Sequence, residues 1–185
     1  MGQYVQPATY NGYGYGQLVM GNRLHKNIRM RGWDYSQAAV YMGTVCVKDR
    51  SHRFGSITIM DEVHMNSAGI MVSQEIGALS KHYAAVEVDQ FVVMPNHIHL
   101  LVGINLTIGP SESVALSDVV GDLKSRTTNR YIKGVKMGLL PAFDRKLWQE
   151  GFYETIMRDE RMTEERRNYI INNPANWRDD PEMNR

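Results

Sequence analysis

The sequence predicts an α+β domain built on a central antiparallel sheet, and three observations carry that expectation. Two adjacent runs, 85–94 (AVEVDQFVVM) and 97–104 (HIHLLVGI), are rich in Val, Ile and Phe and are separated only by Pro95 and Asn96. They read as strands joined by a tight turn or a bulged kink. Two longer stretches, 68–83 and 113–131, repeat apolar residues at roughly helical spacing. The segments alternate as strand pair, helix, strand pair, helix, with no internal repeat, which suits a sheet with helices packed on it.

Taken in order, residues 1–21 repeat Tyr and Gly without apolar periodicity and are expected to form a flexible tail, or an arm that orders on a partner. Residues 22–185 are expected to form one domain, ordered from about Trp33. Residues 38–48 (AAVYMGTVCVK) favour a strand, and 55–60 with 62–66 a short hairpin. Ser67 is a candidate cap for a helix over 68–83, with Ile70, Ile76, Leu79 and Tyr83 on one face. After a loop over 105–112, the helix over 113–131 sets Leu116, Val119, Val120 and Leu123 on one side. Residues 134–145 connect to a short strand over 152–157. Thr163 can cap a last helix that runs to about Asn173 and stops before Pro174.

Composition narrows the function. With 43% hydrophobic and 22% charged residues, a chain of 185 residues can bury a full core. No apolar run is long enough to span a membrane, and the N-terminus lacks the pattern of a signal peptide. One cysteine, Cys46, excludes an intramolecular disulfide and points to a reducing, cytoplasmic setting. The net charge of +1 hides segregation. Arg23, Lys26, Arg29 and Arg31 cluster without an acid, and Lys124, Arg126, Arg130, Lys133 and Lys136 cluster around helix 113–131. Such clusters make a basic face or a solvated surface. Lys124, Arg126 and Arg130 are candidates for tracking a phosphate backbone, with Arg29 and Arg31 as a second contact set.

Two constellations carry chemistry. In MPNHIHLL, His97 and His99 lie at i and i+2 of a strand, so both imidazoles project to one side while Ile98 enters the core. Two imidazoles on one side suit a divalent metal. The spacing alone also fits a pair on an edge strand facing water. In RRNYIINNP, Tyr169 and Asn173 sit one helical turn apart. A tyrosine hydroxyl can attack a phosphodiester with a cation polarising the phosphate, and Asn173 offers a carbonyl oxygen as a third ligand. A half-buried Tyr169 and a helix-ending Asn173 are the plain structural alternative. His52, His64 and His82 are expected at the surface and Cys46 in the core. Trp148, Phe152 and Tyr153 are candidates for stacking on bases, with core packing expected for at least two.

Four blocks, IRMRGWDYSQAAVYMGTVCV, FVVMPNHIHLLV, LWQEGFYETIMRDE and RNYIINNPANW, run in order over about residues 28–178. Together they resemble the HUH single-strand transposases with one catalytic tyrosine, and most closely the REP-associated tyrosine transposases. The resemblance implies a ferredoxin-like or RRM-like sandwich, with the histidine pair on the central antiparallel sheet. It implies a metal-dependent endonuclease and strand transferase acting on single-stranded hairpin DNA through a 5′-phosphotyrosine. By matching position, Tyr169 is the nucleophile, and His97, His99 and Asn173 are ligands of Mg²⁺ or Mn²⁺. Insertion-sequence relatives often carry Gln where Asn173 stands. The implied setting is cytoplasmic and nucleoid-associated, with no membrane partner, as a monomer or a homodimer. If the site lies within one chain, the helix after Thr163 must fold back across the sheet; a domain-swapped dimer is the alternative. The rival functional reading is a domesticated hairpin-binding module with little or no cleavage activity. A third, a histidine-ligated oxygenase, lacks an evident carboxylate partner.

Overall fold

The computed structural model describes residues 38–105, 114–180 and 182. Strand β1 (Ala39–Cys46) leads into a small ribbon, β2 (Gly55–Ile57) and β3 (Val63–Met65), followed by α1 (Ser67–Gly77) and a single turn, α2 (Leu79–His82). Strands β4 (Val86–Val93) and β5 (His97–Ile104) precede the long α3 (Leu116–Lys136), and β6 (Tyr153–Ile156) precedes α4 (Glu160–Asn172). A 3-10 turn, Trp177–Asp179, follows.

The main sheet has the order β4-β5-β1-β6, with every neighbouring pair antiparallel. Taken as β1, α1, β4, β5, α3, β6, this is the βαββαβ arrangement of a ferredoxin-like sandwich. The histidine strand β5 is therefore an interior strand, and all eight of its residues are buried. An edge strand with its histidines facing water is thus not what the chain builds.

Alternation along β5 divides the molecule. Ile98, Leu100, Val102 and Ile104 join Val72, Ile76 and Leu79, and Leu116, Val119 and Leu123 of α3, in the larger core. Leu101 faces the other way, into a smaller cluster with Met42, Met157 and Ile170 beneath α4. His97 and His99 share parity with Leu101, so they open toward α4.

Several helix boundaries differ from the sequence expectation. Asn66, not Ser67, caps α1, its side chain accepting from the N–H groups of Ala68 and Gly69. The expected helix over 68–83 breaks at Ala78, and Ile70 stays half exposed. Asp159, not Thr163, caps α4 by accepting from the Met162 N–H at 2.7 Å. The buried Thr163 instead donates to the Asp159 carbonyl at 3.0 Å. The start of α1 also needs a glycine, since a Cβ at Gly69 would come within 2.1 Å of the Phe54 carbonyl oxygen.

A bulge positions α4. The register of β4 against β5 shifts between Val88 and Gln90, leaving Asp89 as the extra residue. Its carboxylate accepts a two-pronged bond from Arg167, at 2.9 and 2.7 Å. That fork ties the middle of α4 to the sheet edge two residues before Tyr169.

Candidate active site on the histidine strand

The corner before β5 is tied down from three sides. Phe54 N–H donates to the Pro95 carbonyl at 3.0 Å, Val47 N–H to the Asn96 carbonyl at 2.8 Å, and Met94 N–H to the His97 carbonyl at 2.9 Å. His97 is fully buried and His99 is 3% exposed. Their Nε2 atoms lie 3.0 Å apart. Each Nδ1 has its own partner: Asn96 Oδ1 stands 2.8 Å from that of His97, and Thr44 Oγ1 2.8 Å from that of His99.

Asp180 completes the cluster, its Oδ2 at 3.7 Å from His97 Nε2 and 3.8 Å from His99 Nε2. It arrives from the turn after α4 and is buried. Burial opposes its charge, yet His99, His97, the Asn173 amide and the Glu182 N–H together hold the carboxyl below the usual range. Burial, followed by the neighbouring His99, pushes His97 down to about 3, against the pull of Asp180. His97 is thus a neutral imidazole near neutral pH, the form that ligates metals. Trp177 stacks on its ring with centroids 5.9 Å apart.

Tyr169 reaches the same place within one chain. Its ring stands edge-on to His99 with centroids 5.3 Å apart, at a recess of about 190 Å³ lined also by Met42, Thr44, Tyr153 and Arg166. Burial first, then the negative charges of Asp180 and Glu182, push its hydroxyl up to about 12. One turn on, Asn173 is buried and donates through Nδ2 to Asp180 Oδ2 at 2.7 Å. Its Oδ1 is buried without a hydrogen-bond partner among the described residues.

The donors fit a divalent cation. His97, His99 and Asp180 form the cluster of possible metal ligands among the described residues. Bonds of about 2.1 Å from one ion to two nitrogens and an oxygen are compatible with these separations. Two imidazoles with one carboxylate leave open positions, and a buried amide oxygen with no partner among the described residues is what a cation or its bound water would satisfy.

His97, His99, Tyr169 and Asn173, the four residues that the sequence points to, lie together. Asp180, Asn96 and Thr44 stand beside them with no comparable signal in the sequence. Thr44 is legible only through strand register, as the residue paired with His99. Asp180 lies beyond Pro174, where no periodic pattern announces a contact.

The candidate DNA contacts lie apart from this cluster. Lys124 Nζ donates to the carbonyls of Gln149 (3.0 Å) and Gly151, and burial pushes its ammonium down to about 8. Arg126 pairs with Asp122 at 2.6 Å and Arg130 with Glu75 at 2.7 Å. All three belong to α3, on the opposite side of the sheet from the histidines. Arg29 and Arg31, like the tail over 1–21, lie outside the described residues. Of the aromatic candidates, Trp148 is buried with its Nε1–H donated to Thr127, Phe152 is half-buried, and Tyr153 borders the recess. His52, His64 and His82 are exposed and Cys46 is buried. No helix among the described residues is long and apolar enough to cross a membrane.

The chain resembles known proteins in sequence and in fold. The family described as transposase, IS200-like, matches residues 45–173. An uncharacterized protein of Haemophilus influenzae is 29% identical over 165 residues, covering 84% of this chain and 91% of its own. A solved structure of a REP-associated tyrosine transposase bound to a REP hairpin superposes with a TM-score of 0.54 at 17% identity. That match covers 81% of this chain and 74% of the other, and it is a likeness of fold. A crystal structure of a putative transposase from Deinococcus radiodurans aligns at 18% identity and a TM-score of 0.48, over 78% of this chain and 95% of the other. The family match takes in the histidine strand and ends on Asn173, and on that span the chain belongs to the IS200-like transposase family.

Proposed function

We propose that this transposase-family chain cuts and rejoins single-stranded DNA at hairpins, with Tyr169 as nucleophile and a divalent cation, Mg²⁺ or Mn²⁺, held by His97, His99 and Asp180. The observation that carries the reading is the convergence of Tyr169 on the buried histidine pair, with ring centroids 5.3 Å apart in one chain. The solved relative bound to a REP hairpin supports hairpin DNA as the substrate class.

A bound cation would polarise the scissile phosphate and stabilise the charge that develops there. The residues of the chain do the rest. Tyr169 Oη attacks phosphorus, the bond from phosphorus to the 3′ oxygen breaks, and the DNA keeps a 3′-OH while its 5′ phosphate stays on the tyrosine. The tyrosine proton leaves and the departing 3′ oxygen takes one up, so the exchange is balanced. Attack by a 3′-OH on the phosphotyrosine reverses it and rejoins a strand without a nucleotide cofactor. A hydroxyl held up at about 12 ionises little near neutrality, so neighbouring positive charge must assist. Arg166 borders the recess and acts in that direction on the hydroxyl. Asn173 orients Asp180 through its Nδ2, and its unpaired Oδ1 stands ready as a further oxygen donor. Arg29 and Arg31, together with Arg126 and Arg130 once their acidic partners let go, are the proposed phosphate contacts.

The test is a denaturing gel of the full chain incubated with Mn²⁺ and labelled single-stranded hairpins taken from genomic repeats. Label that stays on wild-type protein and is absent from Tyr169→Phe supports the reading. Tight hairpin binding without any adduct turns it toward a binding module.

A further inference from the structure

We infer that Asn96 and Thr44 are positioning residues that decide which nitrogen each imidazole presents: Asn96 holds His97 in one tautomer, while Thr44 lets His99 occupy either. The inference rests on the metal-centre reading above and deepens it.

Asn96 Oδ1, 2.8 Å from His97 Nδ1, is an acceptor only. The orientation of that amide is set by its other end, which donates through Nδ2 to the Glu182 carbonyl at 3.0 Å. His97 therefore carries its proton on Nδ1 and turns a lone pair on Nε2 toward His99. Across the 3.0 Å gap, His99 as a neutral ring has two tautomers to choose from. Without a cation, two opposed lone pairs would repel, so His99 carries its proton on Nε2 and donates it to His97. Its Nδ1 then accepts from the Thr44 hydroxyl, 2.8 Å away. With a cation, both Nε2 lone pairs must face the ion, so the His99 proton has to reside on Nδ1 and be accepted by Thr44 Oγ1.

Only a hydroxyl serves both states, because it donates or accepts by rotating about one bond. The strands hold it in place: Thr44 is the residue of β1 that pairs with His99 in the antiparallel register, and its side chain is largely buried. Neither Val45 nor Gly43, its neighbours in sequence, offers such a group. Partners of this kind that orient ligands commonly account for 10–100-fold in metal affinity.

The experiment uses the full chain labelled with ¹⁵N-histidine. Long-range ¹H–¹⁵N spectra assign the tautomers without metal and with Zn²⁺, and the free Mn²⁺ signal in electron paramagnetic resonance gives the affinity. Without metal, His97 is expected as the Nδ1–H form and His99 as the Nε2–H form; with Zn²⁺, His99 moves to Nδ1–H. Thr44→Val is expected to weaken Mn²⁺ binding about 10–100-fold, and Thr44→Ser to restore it to within about threefold.

Unchanged Mn²⁺ affinity in Thr44→Val, or a metal-free His97 protonated on Nε2, overturns the inference. If wild-type protein takes up no Mn²⁺, the metal-centre reading falls by itself. The inference then stands or falls on the metal-free spectra of the two histidines. Those spectra need no variant, so the test remains decisive if Thr44→Val does not fold.

Discussion

The two faces of strand β5 differ in kind. On one, Ile98, Leu100, Val102 and Ile104 lie in an apolar core closed by α1 and α3. On the other, His97 and His99 meet Asp180, Asn173 and Tyr169 beneath α4, with only a small apolar cluster alongside. Burial on the first face stabilises by about 1.5–3 kcal/mol for each large side chain. On the second face, burial costs stability unless every polar atom is paired. Here the pairing among the described residues is nearly complete, with Asn173 Oδ1 left over. The lesson is a division of labour within one strand: the apolar side anchors the strand in the core, and the polar side presents the histidines to Asp180 and Tyr169 from that anchor.

This comparison breaks most sharply at Tyr169. Tyr169→Phe is expected to remove the covalent DNA adduct and lower cleavage more than about 1,000-fold, while the melting temperature stays within a few degrees. Gel assay and calorimetry measure the two sides. Leu100→Ala on the opposite face reverses the pattern, with a loss of about 2–5 kcal/mol in urea unfolding and activity that follows the folded fraction. If both variants lost activity and stability alike, the faces would not be separable.

Asp180→Asn is expected to weaken Mn²⁺ binding about 10–100-fold, since it removes the one formal negative charge among the cluster's donors; isothermal titration gives the value. A smaller effect belongs to Asp89→Asn, which loosens the fork to Arg167 and is expected to lower cleavage severalfold through the placement of α4, with the Mn²⁺ affinity retained. The smallest concerns Lys124. Burial holds its ammonium down to about 8, against 10.5 when unfolded, so between those values the unfolded chain binds more protons and stability rises with pH. The carbonyls of Gln149 and Gly151 hold the charge, so the rise is expected to stay below about 1 kcal/mol. It should vanish in Lys124→Met when denaturant midpoints are compared at pH 7.5 and pH 10.

What the sequence made legible follows the same division. The limits of β5, His97–Ile104, coincide with the expected strand, because alternation and the Pro95–Asn96 corner are local signals. The α4 cap, Asp159, lies four residues before the expected one, because Asp159 and Thr163 are both competent caps and only packing decides between them. Thr163 loses because its side chain is buried and turned back to the Asp159 carbonyl. The helix expected over 68–83 is longer than α1, since nothing local announces the break at Ala78. The interior position of β5, and with it the burial of the histidines, depends on β1 pairing along one side, a contact 55 residues distant at Thr44 and His99. The role of Asp180 is equally non-local. A basic residue, by contrast, is easy to see and hard to assign: Lys124, Arg126 and Arg130 stand out by charge, yet each meets a partner within the chain.

The span of these contacts bears on how the molecule comes together. Thr44 and His99 are 55 residues apart, and Asp89 and Arg167 are 78. Closing such long loops is slow compared with forming a helix or a hairpin. The histidine pair acquires its hydroxyl only after β1 docks, and its tyrosine only after α4 docks. A collapsed chain with helices but without the finished sheet would hold the same residues and no assembled site. Uptake of Mn²⁺ during refolding should therefore trail the recovery of helical circular dichroism, making the ion a reporter of the last step of folding.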